Sequence, residues 1–199
     1  MNLNRRSIRL KGYDYSKPGM YFITICTKNR QHMFGEIKDG QVHLNECGNM
    51  ANKHLIELPN RFSNIKIDEH IIMPDHIHAI IEILEPPQPP KFRPGSPCGC
   101  LGEKFCPNEG QPQGLPLTPT PAPPPLRGAR AIGNIIGAYK SIITTEYIKN
   151  VKRNNWPPFN KSIWHRNYYE RIIWNNHQLH NTRQYIKNNP HNHKQYRQP

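Results

Sequence analysis

The stretch from residue 85 to residue 127 decides how much of this 199-residue chain can pack. It opens Glu85-Pro86-Pro87-Gln88-Pro89-Pro90 and closes Pro121-Ala122-Pro123-Pro124-Pro125, with almost no apolar periodicity between. Proline removes backbone donors, and a segment with little to bury cannot offset the entropy of ordering itself. It therefore reads as a disordered, semi-extended insertion. Residues 1–84 and 128–199 then form two parts of one domain around it. Cys98-Gly99-Cys100 and Cys106 lie in the insertion, but a fourth ligand at sensible spacing is missing, so they read as free thiols rather than a zinc site.

Outside the insertion the patterning is that of a globular chain. Tyr21-Phe22-Ile23-Thr24-Ile25-Cys26-Thr27 is rich in aromatic and β-branched residues and predicts a strand. Asp39-Gly40 between Met33–Lys38 and Gln41–Leu44 predicts a hairpin turn. A helix is expected over about 48–58, with Met50, His54, Leu55 and Leu58 on one side and Pro59 ending it. Two apolar stretches, Ile65–Met73 and Ile77–Leu84, are split by Pro74-Asp75 and read as adjacent strands joined tightly. A long helix over about 131–150 carries Ile132, Ile135, Ile136, Tyr139, Ile142 and Ile143 at helical spacing. A strand follows near Tyr168–Trp174, and a last helix over about 176–189 is expected to stop at Pro190. That order describes an α+β domain, with helices packed on an antiparallel sheet.

The charge narrows the partners. A formal net charge of +13 points to a polyanionic partner, because Lys and Arg that neutralise phosphates gain affinity by releasing counterions, with a merely soluble basic protein as the plainer alternative. No apolar run is long enough to span a membrane, and the segment around Arg5, Arg6 and Arg9 lacks the apolar stretch of a signal peptide. Five cysteines, an odd number, suit a reducing cytoplasm better than a disulfide framework.

Three segments carry chemistry. In Asp75-His76-Ile77-His78, residues two apart on a strand face the same way, so His76 and His78 present two imidazoles side by side as a pair of metal ligands. A bare His-x-His also arises by chance at strand edges. In Arg183-Gln184-Tyr185-Ile186-Lys187-Asn188-Asn189-Pro190, Tyr185 and Asn189 share a helix face, pairing a phenol with an amide able to ligate metal. Tyr147 repeats the Tyr-Ile-Lys-Asn string, but Val151 stands four residues on and cannot bind metal, so spacing favours Tyr185. A tyrosine that merely covers the core is the plainer alternative for either. In Trp164–Arg171, arginines interleave with aromatics, which suits bases stacking on rings while guanidinium groups hold phosphates.

Together these pieces resemble the REP-associated tyrosine transposases, a branch of the single-tyrosine HUH (His-hydrophobic-His) transposases. The resemblance rests on Arg9-Leu10, Tyr13-Asp14-Tyr15, Gly19, Tyr21-Phe22-Ile23-Thr24, Met73-Pro74-Asp75-His76-Ile77-His78, Tyr139-Lys140-Ser141, Trp164–Glu170 and Tyr185–Pro190. It implies a ferredoxin-like HUH nuclease fold in a cytoplasmic, nucleoid-associated bacterial protein, monomeric or homodimeric. It implies Mg²⁺ or Mn²⁺ held by His76, His78 and Asn189, and Tyr185 as the nucleophile that becomes joined to a 5′ phosphate. The substrate it implies is single-stranded DNA near short palindromic hairpins. Arg5, Arg6, Arg9, Lys140, Arg166, Tyr168, Arg171 and Arg183 are the side chains expected to meet that DNA. Two other readings fit parts of the pattern: a non-catalytic binder of structured single strands, DNA or RNA, and a nuclease using metal-activated water.

Overall fold

The computed structural model describes residues 13–85 and 131–192. Its centre is β1 (Gly19–Cys26), whose alternating aromatic and β-branched residues bury one face fully and the other in part. A 3₁₀ turn at Lys28–Arg30 leads to a hairpin of β2 (Gly35–Lys38) and β3 (Gln41–Leu44). Asp39 and Gly40 turn that hairpin at φ 51° and 76°, the left-handed pair a two-residue turn requires. A Cβ on Gly40 would also meet the His191 ring at 2.6 Å, so the hairpin tip lies against the end of the last helix.

Helix α1 (Glu46–Ile56) starts two residues earlier than the apolar spacing suggests, because Asn45 caps it by accepting from the Gly48 amide at 2.9 Å. Leu58 falls not on α1 but in a separate turn, α2 (Leu58–Arg61), where Pro59 is tolerated near the start. Strands β4 (Ile65–Met73) and β5 (His76–Ile83) follow, with Met73 opposite His76 and only Pro74 and Asp75 between. Then come α3 (Ile132–Arg153), β6 (Tyr169–Ile173) and α4 (Asn176–Asn192). Pro190 does not stop α4 as its ring suggested; it sits in the last turn, where a single lost backbone bond is tolerable, and the helix runs to Asn192.

The four-stranded sheet has order β4-β5-β1-β6 and every pairing is antiparallel, so the class is α+β as the sequence order implied. The pleat divides its two faces. Tyr21, Ile23 and Ile25 of β1, with Ile77, Ala79, Ile81 and Ile83 of β5, point into the main core, which Ala51 and Leu55 of α1 and Ile135, Ile136, Tyr139 and Ile143 of α3 complete. Ile80 and Ile173 point the other way, onto Leu179 and Ile186 of α4. His76 and His78 have the parity of Ile80 and therefore lie on the α4 side. Arg5, Arg6, Arg9, the insertion and Cys98, Cys100 and Cys106 lie outside the described residues.

Candidate functional site

Strand register builds the centre of the site. Thr24 is opposite His78 and Cys26 is opposite His76, so β1 supplies the neighbours of both imidazoles. His76 Nδ1 meets Asp75 Oδ1 at 2.7 Å, and His78 Nδ1 meets Thr24 Oγ1 at 2.9 Å. With each Nδ1 engaged, the two Nε2 atoms are turned on one another at 3.1 Å. Two ring nitrogens that close cannot both present lone pairs without a proton or a cation between them. Burial, then the neighbouring His76, pushes the His78 pKa down to about 3, which keeps its ring neutral and able to donate a lone pair near pH 7. Asp75 is itself buried and lies 3.6 Å from the exposed Arg30 guanidinium.

The donor set therefore suits a divalent cation. Imidazoles whose second nitrogens are fixed by a carboxylate and a hydroxyl are the arrangement that orients histidine ligands. Among the described residues no group of three His, Cys, Asp or Glu side chains could hold a metal, so from those residues a third protein ligand would be an amide or a backbone group. Asn189 is available in kind. The buried stripe of α4 runs Leu179, Thr182, Ile186, Asn189, at the three- and four-residue spacing of one helix face, and Asn189 is its polar end, 7% exposed.

Tyr185 stands at the edge of that stripe. Its ring is 5.4 Å from the His78 ring and 6.0 Å from Phe22, edge-on to both, while 48% of the residue stays open to solvent. Phe22 stacks on His78 at 5.2 Å and carries the Arg171 guanidinium on its ring at 5.5 Å. Tyr147, the rival by sequence string, is 5% exposed in the main core and donates to the Pro157 carbonyl at 2.9 Å. It belongs to α3, on the other side of the sheet from the histidines.

The expected DNA contacts divide. Arg166 is exposed, and Arg171 is exposed while donating to Thr182 Oγ1 at 3.2 Å. Tyr168 is half-buried, with the Lys140 ammonium 5.9 Å from its ring. Lys140 donates to the carbonyls of His165 and Asn167 at 3.0 and 3.2 Å, and burial lowers its pKa, so it ties the 165–167 segment to α3. Arg183 makes a two-pronged bond to Asp68, with Nε donating to Oδ2 at 2.8 Å, and so fastens α4 to β4. Thr24, Phe22 and Arg30 complete the site without any local spacing to announce them; they come to the histidines through strand register and the Pro74-Asp75 turn, whereas Asp75 adjoins His76 in sequence.

No protein-family model matches the chain. A Haemophilus influenzae protein whose function is uncharacterised is 36% identical over 188 residues, covering 94% of this chain and 88% of its own. A solved structure of a REP-associated tyrosine transposase bound to a REP hairpin superposes with a TM-score of 0.54 at 16% identity, covering 93% of this chain and 73% of its own. The chain belongs to the family of the Haemophilus influenzae protein, and its fold is that of the REP-associated tyrosine transposase.

Proposed function

We propose that the protein is a metal-dependent single-stranded DNA transposase or endonuclease that cuts and rejoins DNA beside palindromic hairpins through a 5′-phosphotyrosine intermediate. The observation that carries this reading is an exposed tyrosine whose ring touches one of two buried, outward-braced imidazoles. A neutral phenol is a weak nucleophile and needs a cation or base at hand. His76, His78 and Asn189 would hold Mg²⁺ or Mn²⁺, which when bound supplies Lewis-acid polarisation of the phosphate. Tyr185 Oη gives up its proton to water and attacks phosphorus, the bond to the 3′ oxygen breaks, and the departing 3′ oxygen takes a proton from water. The new phosphotyrosine bond conserves the bond energy, so the freed or another 3′ hydroxyl can reverse the step without ATP. The solved relative's REP hairpin and the net charge of +13 support a hairpin DNA partner.

The test is a 3′-labelled single-stranded hairpin with flanks from the chromosomal neighbourhood, incubated with Mn²⁺ and run under denaturing conditions. The expected result is a labelled band at the mass of protein plus DNA, lost with Tyr185→Phe and with chelator. Cutting without an adduct would favour activated water, and tight binding without cutting on several hairpins would favour a binder.

A further inference from the structure

A cavity opens next to the Pro74-Asp75 turn, on which its lining residue Met33 packs through the backbone. It encloses about 490 Å³ and is lined by Gln31, His32, Glu46, Tyr147, Trp156 and Phe159, among others. Its apolar wall is aromatic: Tyr147 lies 5.1 Å from Trp156 and 5.6 Å from Phe159, edge-on to each. Its carboxylate, beside the polar side chains of Gln31, His32 and Asn45, is that of Glu46, held in place by the Trp156 indole, which donates to Oε2 at 2.9 Å. The wall is joined to the histidine site by backbone. Thr27 Oγ1 lies within hydrogen-bond distance of both the Asp75 and Gln31 carbonyls, at 2.9 and 2.8 Å, and Met33 N donates to the Pro74 carbonyl at 2.9 Å. Arg30, exposed and next in sequence to Gln31 of the lining, reaches Asp75.

We infer that this cavity receives one unpaired guanine of the single strand whose phosphate backbone runs past Arg30. Aromatic faces bind any base by stacking, and that alone would give no preference. The carboxylate adds one. It accepts hydrogen bonds and donates none, and it repels phosphate, so a base enters with its pairing edge toward Glu46 while the backbone stays outside near Arg30. Guanine alone offers two adjacent donors, N1–H and the N2 amino group, for a carboxylate to accept together. The inference rests on the reading of the His76–Tyr185 site as one that takes single-stranded DNA.

The test uses the full chain and labelled nine-residue oligonucleotides, all thymidine or with a single central dG, deoxyinosine, dA or dC, with binding read by anisotropy. The dG oligonucleotide should bind about tenfold or more tighter than all-thymidine, and deoxyinosine, which lacks the N2 amino group, should lose most of that gain. Glu46→Gln should erase the dG preference while keeping general binding; Trp156→Leu should weaken dG, dA and dC alike. Circular dichroism establishes that both variants fold; Glu46 is exposed, and the Gln change keeps its shape. Equal affinity for all five oligonucleotides, a preference for dA or dC, or a dG preference that survives Glu46→Gln would each overturn the assignment. Adduct formation measured in parallel separates the two readings: adduct without dG preference sinks the cavity alone, and dG preference without adduct sinks the role of Tyr185 alone.

Discussion

At the scale of single residues, the site depends on groups that hold the imidazoles rather than on the imidazoles alone. Asp75 fixes His76 and Thr24 fixes His78, each through Nδ1, leaving both Nε2 atoms turned to the same point. Removing such an orienting partner typically costs metal sites tenfold to a hundredfold in affinity. Thr24→Val and Asp75→Ala are therefore each expected to weaken Mn²⁺ binding by about that factor in calorimetry while the fold persists. An unchanged affinity would mean the imidazoles need no bracing. The depressed His78 pKa has a second consequence. Its unfolded value near 6.5 lies above its folded value of about 3, so the unfolded chain binds the extra proton first as pH falls. The stability contributed by the neutral ring is present above pH 6.5 and is lost as pH falls through the window from 6.5 to 3. In the metal-free protein this group should cost about 2 kcal/mol between pH 7 and 5. Urea unfolding at the two pH values should show the loss in the wild type and a smaller one in His78→Gln.

At the scale of elements, helix α4 is held from two directions. Its apolar stripe, Leu179 and Ile186, packs on Ile80 and Ile173, and its outer charges pair with β4: Arg183 with Asp68, and Lys187 with Glu69 at 3.3 Å. Both carboxylates sit at the register shift between Ile67 and His70, where the ladder is interrupted and two successive side chains are freed from regular alternation. Arg183, expected at the DNA, is thus one side of a fastener that sets where Tyr185 stands. Exposed ion pairs contribute only about 0.2–1 kcal/mol to stability, but a misplacement of the order of an ångström in a reacting group can cost far more in rate. Asp68→Ala with Glu69→Ala is expected to lower the melting temperature slightly and slow adduct formation about tenfold or more. A large stability loss with an unchanged rate in the folded fraction would place the pairs outside the chemistry. Period and punctuation made these elements readable: the Asp39-Gly40 turn, the isoleucine spacing of α3 and the Pro74-Asp75 break each match an observed boundary. Pro190 misled because a proline in a final turn costs one bond, and nothing local in sequence says which turn is final.

At the scale of the molecule, the sheet keeps two faces with different work. One buries the main core under α1 and α3; the other carries His76, His78 and the tyrosine helix. The two-residue parity of β5 was enough to pair the histidines from sequence, and helical spacing set Tyr185 beside the buried stripe that Asn189 ends. That β5 and α4 face one another was implied only by the family resemblance, since no local spacing tells which face of the β4-β5-β1-β6 sheet the last helix covers. The cavity beside Trp156 was hidden for the same reason, its walls coming from residues 31 to 159. The net charge of +13 acts at this scale as well. If about four phosphates are neutralised, the logarithm of affinity for single strands should fall against that of salt with a slope near −3. A slope near zero would remove phosphate contacts from the account.

The central claim is that Tyr185, and not another tyrosine, forms the bond to DNA. Protein incubated with Mn²⁺ and a cleavable hairpin should be digested with nuclease and protease, and the nucleotide-bearing peptide sequenced by mass spectrometry. The expected result is a nucleotide joined through its 5′ phosphate on the peptide containing Tyr185-Ile186. The same modification on the peptide of Tyr147, or cleaved DNA with no modified tyrosine, would contradict it.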